Sequence, residues 1–320
     1  MTMAIKPKHT ISTLKVGGLF AGIGGIELGF KKAGFKISWA NEIDKNACIT
    51  YRLNHSHKLI EKDIRELDPK DVEKIDILVG GFPCQAFSIA GYRKGFGDDR
   101  GNVFFEILRF IDELDPQIIF LENVKNLHTH DKGNTFKVIK QELEDRGFYL
   151  HYKVLNSCDF GVPQNRERIY IVGFKDKQTY DNFSFPQPKK LTKTINDLLD
   201  KGVDKSFYYT SSRYYEQLKA EMKNKDTLYQ WRRVYVRENK SKLCPTLTAN
   251  MGTGGHNVPL VLDDDIRKLT PKECARFQGY PEEFRFPPIA KSHLYKQVGN
   301  SVSVPVIEAI AKEIKKALDV

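Results

Sequence analysis

From Leu14 to about Phe185, short apolar runs alternate with stretches in helical spacing. Val16–Ala21 predicts a strand, Gly22 to Gly34 a turn entering a helix, Phe35–Asn41 a second strand, and Lys45–Asn54 a second helix. Ile75–Val79 and Ile118–Leu121 are continuous apolar runs, the pattern of strands buried on both faces of a parallel sheet. Between them, Gly101–Glu113 carries Phe104, Phe105, Leu108 and Ile111 on one side of a helix. Asn134–Arg146 reads as an amphipathic helix, then Phe148–Leu155 and Ile169–Phe174 as strands. This alternation predicts an α/β fold, a doubly wound and mostly parallel sheet.

The alternation stops near Phe185-Pro186-Gln187-Pro188, where Tyr, Lys and Gly become frequent, and Gly252-Thr253-Gly254-Gly255 marks loops. A helix resumes over Pro271–Gln278, and an amphipathic helix from about Pro305 to Leu318 ends the chain. The expected organisation is an α/β domain over residues 1–185, a smaller irregular insertion over 186–265, a hinge and connecting segment over 266–299, and a C-terminal stretch over 300–320 that returns to the first domain.

Composition narrows the function classes. With 320 residues, 40% hydrophobic and 29% charged, the chain has ordinary soluble-globular composition. No apolar run approaches the roughly 18–20 residues that span a bilayer, and Met1 to Lys15 lacks a signal-peptide core, so a cytoplasmic, nucleoid-associated protein is expected. Five scattered cysteines without a CxxC pair exclude a disulfide scaffold and argue against a structural zinc site, so no metal is expected. The net charge of +10 points to a polyanionic partner. Pro186–Leu262 holds 14 Lys and Arg against 7 Asp and Glu, together with Phe207, Tyr208, Tyr209, Tyr214, Tyr215, Tyr229, Trp231 and Tyr235. Basic groups neutralise phosphates while rings stack or pack on sugars and bases, whereas a merely solvated basic domain would have the same composition.

Four constellations carry chemistry. Phe20-Ala21-Gly22-Ile23-Gly24-Gly25 lies between a strand and a helix, where glycines let backbone N–H groups approach a ligand, and Glu42 ends the next strand where a ribose diol is held. Glu27 stands in the place of a third glycine, and the pattern does not separate a dinucleotide from S-adenosylmethionine. Gly80-Gly81-Phe82-Pro83-Cys84-Gln85 follows a strand, and Arg93, Lys94 and Arg100 nearby favour a thiolate at Cys84. Glu122-Asn123-Val124 follows another strand, where burial raises a carboxyl pKa and suits it to acid–base work. Cys84 and Glu122 thus share one sheet edge. Gln164-Asn165-Arg166-Glu167-Arg168 leads into a strand, and its alternating arginines place both guanidinium groups on one face, suited to carboxylate, phosphate or base-carbonyl recognition, or to a surface salt-bridge ladder.

With these in order, the chain resembles the bacterial C5-cytosine DNA methyltransferases. The matching segments are Leu19–Gly25, Gly81–Ser88, Glu122-Asn123-Val124, Gln164–Arg168, Leu269–Pro281 and Gln297–Val302, in the family's non-permuted order and spanning nearly the whole chain. The resemblance implies the S-adenosylmethionine-dependent methyltransferase fold. It implies Cys84 as nucleophile on cytosine C6, Glu122 on N3 and the exocyclic amine, Arg168 on O2, and Arg166 orienting the site. It places S-adenosylmethionine against Phe20, Gly22, Gly25, Glu42, Ile43, Asp63, Ile64, Val103, Asn300 and Val302. Gln85 through Gly101 corresponds to the loop that closes on DNA, and the basic insertion to the target-recognition domain, with Thr246-Leu247 matching a dipeptide found there. The implied DNA contacts are Gln85, Ser88, Arg232, Arg233, Arg237, Thr246 and Leu247. The implied partner is double-stranded DNA, acted on by a monomer, with a restriction endonuclease as functional counterpart. The recognition region resembles those that read CC-rich palindromes such as CCGG, CCWGG or CCNGG.

Competing classes separate on residues. A zinc deaminase needs H-x-E and P-C-x-x-C, and none of the eight histidines has Glu two positions on. A dehydrogenase has no use for Cys84 with Glu122. An RNA methyltransferase and a silent DNA binder stay open, the first disfavoured by the basic insertion and the second by intact Cys84 and Glu122.

Overall fold

A computed structural model describes residues 14–83, 103–232, 234–253 and 258–319. Strands β1 (Lys15–Leu19), β2 (Lys36–Glu42), β3 (Lys58–Glu61), β4 (Ile77–Gly81), β5 (Ile118–Val124), β6 (Tyr149–Asn156) and β7 (Glu167–Phe174) form one sheet in the order β3-β2-β1-β4-β5-β7-β6. β3, β2, β1, β4 and β5 pair in parallel, and β7 inserts antiparallel to both β5 and β6. The continuous apolar runs have the predicted cause. Ile77, Val79, Ile118 and Phe120 face one core, while Leu78, Ile119 and Leu121 face the other.

The first face is covered by α1 (Gly25–Lys32) and the C-terminal helix α9 (Val304–Leu318), which bring Ile26, Phe30, Ile307 and Ile310 onto it. The second is covered by α3 (Val103–Leu114) and α4 (Asn134–Glu144) through Phe104, Phe110, Phe136 and Ile139. Helix α2 (Lys45–Asn54) matches its expected bounds, because Asp44 caps it by accepting from the Asn46 and Ala47 N–H groups. Pro305 sits in the first turn of α9, where a missing N–H costs nothing, so this helix begins at Val304, one residue before its expected start.

Several elements differ from the sequence expectation. β5 runs on to Val124, so Glu122 lies within the strand instead of past it. β3 was not expected: its four residues, Lys58-Leu59-Ile60-Glu61, are charged at both ends and form an edge. Helix α5 (Lys177–Asn182) and helix α8 (Lys291–Asn300) were also not anticipated. The polar sequence of α8 hides a face on which Leu294, Tyr295, Gln297, Val298 and Gly299 are buried.

The basic insertion is more regular than its composition suggests. It contains α6 (Tyr215–Glu221) and strands β8 (Leu228–Arg232), β9 (Tyr235–Glu238) and β10 (Leu260–Leu262). These join β11 (Ile266–Lys268) in an antiparallel sheet of order β11-β10-β8-β9, so one sheet crosses the expected boundary at 265. Strands of three to five residues leave too little alternation to be read from sequence. Arg267 of β11 is fully buried and pairs with Glu273 and Asp263, while Glu273 completes a capping box with Thr270 at the start of α7 (Pro271–Phe277). That network fixes the small sheet to the helices leading back to the large one. Among the described residues no helix is long and apolar enough to cross a membrane.

Candidate active site

The carboxyl ends of β1, β2, β4 and β5 lie along one edge of the large sheet, where open α/β sheets place their ligands. At the end of β1 the chain turns sharply. Phe20 adopts φ 56° and Gly22 φ 57°, and nothing lies within 4 Å of where a Gly22 side chain would begin. The turn is tied to β2 by Ala21 N–H donating to the Asn41 carbonyl at 3.0 Å. Glu42 ends β2 with its carboxylate accepting from the N–H groups of Gly22 (2.7 Å), Ile43 (2.8 Å) and Asp44 (2.7 Å). Those bonds orient the carboxylate before any ligand arrives.

Beside it Ile43 is 58% exposed, an apolar surface adjoining an oriented acid. Helix α1 starts at Gly25 without a side-chain cap, leaving its first N–H groups uncapped by any side chain. Val302 and Ser301, entering α9, close directly on Gly25. An open glycine turn, an oriented carboxylate and an apolar platform fit a nucleoside-bearing ligand such as S-adenosylmethionine. Asp63 is held by Arg65, which keeps its carboxyl below the ordinary carboxylate range, and Ile64 is buried beside it. Val103 opens α3, and Asn300 ends α8. Phe20, Gly22, Gly25, Glu42, Ile43 and Val302 thus gather around one turn.

Glu122 stands opposite Gly81 of β4 on one side and Tyr170 of β7 on the other. Its side chain shares the face of Phe120, and it is only 8% exposed. Arg168, two residues along β7 from Tyr170, is its diagonal neighbour, with Nε 3.2 Å from Oε1. Burial raises the Glu122 pKa, and the charges of Arg168 and then Arg166 oppose that rise. Oε1 is buried and accepts no well-aligned hydrogen bond. Next to it, Asn123 turns to the opposite face and donates to the Phe82 carbonyl at 2.8 Å, fixing the end of β4 just before Pro83. Cys84, Gln85 and Ser88 lie outside the described residues.

Arg166 does not share the face of Arg168. It precedes β7, is 2% exposed, and donates to the carbonyls of Leu247 (2.8 Å), Gly299 (3.3 Å) and Ser301. Burial pushes its pKa down to about 9, and its three bonds join the base of β7 to the insertion and to the end of α8. Leu247 is 1% exposed and packs in the core, so its carbonyl, not its side chain, serves the site. Thr246 donates its hydroxyl to the Asn165 carbonyl at 2.7 Å.

In the small sheet, register places Gln230 opposite Arg237 and Arg232 opposite Tyr235 on one face. The other face, with Tyr229, Trp231 and Val236, packs around Leu218 and Met222 at α6. Val234, just before β9, is 77% exposed; Arg233 lies outside the described residues. Sequence reasoning missed His55 and the buried Glu27. Only Glu27 left a signal, an acid in the apolar stripe Ile23, Ile26, Phe30.

The model of the C-5 cytosine-specific DNA methylase family matches residues 14–316. Type II methyltransferase M.Bsp6I of Bacillus sp. (strain RFL6) is 58% identical over 313 residues, covering 95% of this chain and 99% of that protein. Type II methyltransferase M.HhaI of Haemophilus parahaemolyticus is 38% identical, with 98% of each chain covered. Among solved structures, the S. pombe Dnmt2 methyltransferase superposes with a TM-score of 0.75 at 22% identity, covering 96% of this chain and 100% of that one, a likeness of fold.

Proposed function

The chain belongs to the C-5 cytosine-specific DNA methylases and is a type II DNA cytosine-5-methyltransferase; we propose that it modifies a cytosine flipped out of a short specific duplex sequence, through a covalent bond from Cys84 Sγ to C6. The observation that carries this reading is the buried, incompletely bonded Glu122 carboxyl, beside the end of β4, which Pro83 and Cys84 follow in the sequence.

Carbon 5 of cytosine is a poor nucleophile. In the proposed chemistry the Cys84 thiolate adds to C6, and the Glu122 carboxyl supplies the proton that N3 gains. The ring becomes an enamine whose C5 can accept a methyl group. A base then takes the C5 proton, N3 returns its proton to Glu122, the C5–C6 double bond re-forms, and the thiolate leaves. Burial raises the Glu122 pKa and so favours the protonated form which that exchange needs. Arg168 stands 3.2 Å from Glu122 Oε1 and would face the base O2, while Arg166 acts through the backbone by fixing the start of β7.

S-adenosylmethionine would supply the methyl group when bound. Glu42 would take its ribose hydroxyls, Gly22 and Gly25 its close approach, and Phe20, Ile43, Asp63, Ile64, Val103, Asn300 and Val302 the remaining contacts. Arg232 and Arg237, with Arg233, Gln85, Ser88 and Thr246, would meet double-stranded DNA, and a monomer can enclose it between the two sheets. Protection against a cognate endonuclease is the corresponding role in a restriction system.

The test is base-resolution 5-methylcytosine sequencing of unmethylated plasmid after incubation with purified protein and S-adenosylmethionine. Methylation at one short palindrome supports the reading and identifies the target, CC-rich or otherwise. No mark on DNA, with methyl transfer to RNA or with DNA binding alone, would overturn it. In parallel, 5-fluorocytosine at that target should trap a covalent adduct with the wild type and none with Cys84→Ser.

A further inference from the structure

The cofactor turn is held from below by a residue with no part in the chemistry proposed above. His55 follows the last turn of α2, and its Nε2 lies 3.2 Å from the Ile23 carbonyl. Its acceptor is a carbonyl, so Nε2 must carry the hydrogen. The imidazole fills the space beneath Gly24, where a side-chain carbon would come within 2.1 Å of Nε2 while the backbone sits at φ 85°. Only glycine meets both demands.

The ring is itself held in place. Tyr51 lies against His55 with ring centroids 4.3 Å apart, and the Tyr51 hydroxyl is bonded to His57 Nε2 at 2.5 Å. Burial drives the His55 pKa down to about 4, so the ring stays neutral above that. The turn therefore has three anchors: Ala21 N–H on Asn41, Gly22 N–H on Glu42, and the Ile23 carbonyl on His55. Two of them belong to β2 and restrain the start of the turn. The peptide that leads into α1 is held at both ends, by Gly24 N–H donating to the Ala21 carbonyl at 2.8 Å and by the Ile23 carbonyl accepting from the His55 side chain.

We propose that His55 is a positioning residue for cofactor binding: as an Nε2–H donor it fixes the Ile23–Gly24 peptide, and so presents Gly22 and the start of α1 to the ligand in register with Glu42. This rests on the reading of that turn as the S-adenosylmethionine site. A loose turn would have to be ordered at binding, and that cost falls on affinity.

The experiment compares His55→Phe, which keeps a ring against Tyr51 but removes the donor, with His55→Gln, whose amide reaches the position of Nε2. S-adenosylhomocysteine binding is measured by calorimetry and the KM for S-adenosylmethionine by initial rates, with thermal melting to confirm folding. His55→Phe should raise both constants about five- to tenfold, the scale of one buried hydrogen bond, with kcat at saturating cofactor nearly unchanged. His55→Gln should restore both to within about twofold. Two folded variants that bind like the wild type would overturn the proposal, as would a His55→Gln protein as impaired as His55→Phe, which would assign the effect to ring packing. Wild-type protein that binds no S-adenosylhomocysteine would instead remove the cofactor reading beneath it.

Discussion

Arg168 Nε lies 3.2 Å from Glu122 Oε1, yet that oxygen accepts no aligned hydrogen bond. The pair is close enough to moderate the carboxyl's pKa but leaves an oxygen to be claimed by something else. Replacing Glu122 with Gln keeps the shape and removes the exchangeable acid. Glu122→Gln should lower the single-turnover methyl-transfer rate roughly 10²–10⁴-fold with DNA binding retained. A rate within threefold of wild type would take Glu122 out of the acid–base role.

Arg166 makes a different prediction, because its partners are three carbonyls from two segments, the insertion and the end of α8. Arg166→Ala leaves these acceptors buried and unpaired, at a cost of about 3 kcal/mol or more. Arg166→Lys, with one ammonium in place of a planar fork, should recover little of it. Urea unfolding midpoints measure both, and a fully stable Arg166→Lys protein would contradict the three-way clamp.

Glu27 is buried on α1 with Oε2 unpartnered, and desolvation pushes its pKa up to about 8. The folded protein thus holds a proton that the unfolded chain releases near pH 4.5. Between these values the native state binds more protons, so stability is full below about 4.5 and declines as pH rises towards 8. Glu27→Gln should abolish this decline, gaining a few kcal/mol near pH 9. Denaturation midpoints from pH 5 to 9 that fall in parallel for both proteins would refute the assignment.

On the small sheet, Arg232 and Arg237 share the face opposite the Leu218–Met222 core. If either reads guanine, its alanine variant should lose about 1–3 kcal/mol of discrimination at one position of the site. A phosphate contact would instead weaken binding to every sequence and flatten the salt dependence. Methylation of a randomised duplex library distinguishes the two. Two variants unchanged in both respects would place DNA recognition elsewhere.

Much of the site was legible because its signals are local. A glycine turn after an apolar strand, an acid at the end of the next, and Pro83-Cys84 and Glu122 at the ends of two buried runs depend on periods of a few residues. Helix α2 could be bounded to the residue because its cap lies beside it. What each polar side chain does was not legible. Arg166 and Arg168 are alternate residues of one segment, and spacing alone put both on one face. The antiparallel insertion of β7 sends Arg168 to Glu122, while the returning end of α8 draws Arg166 inward.

The sequence by itself determined most of the strand–helix order of the large sheet and the edge at which Glu42 and Glu122 stand, because hydrophobic periodicity and turn chemistry are properties of neighbouring residues. Only the tertiary structure decided that Leu247 is core, that Glu122 lies inside β5, and that His55 reaches beneath the glycine turn after β1. Burying a polar group is tolerable only where partners arrive to satisfy it, and here those partners come from segments as far apart in sequence as Arg166 and Ser301.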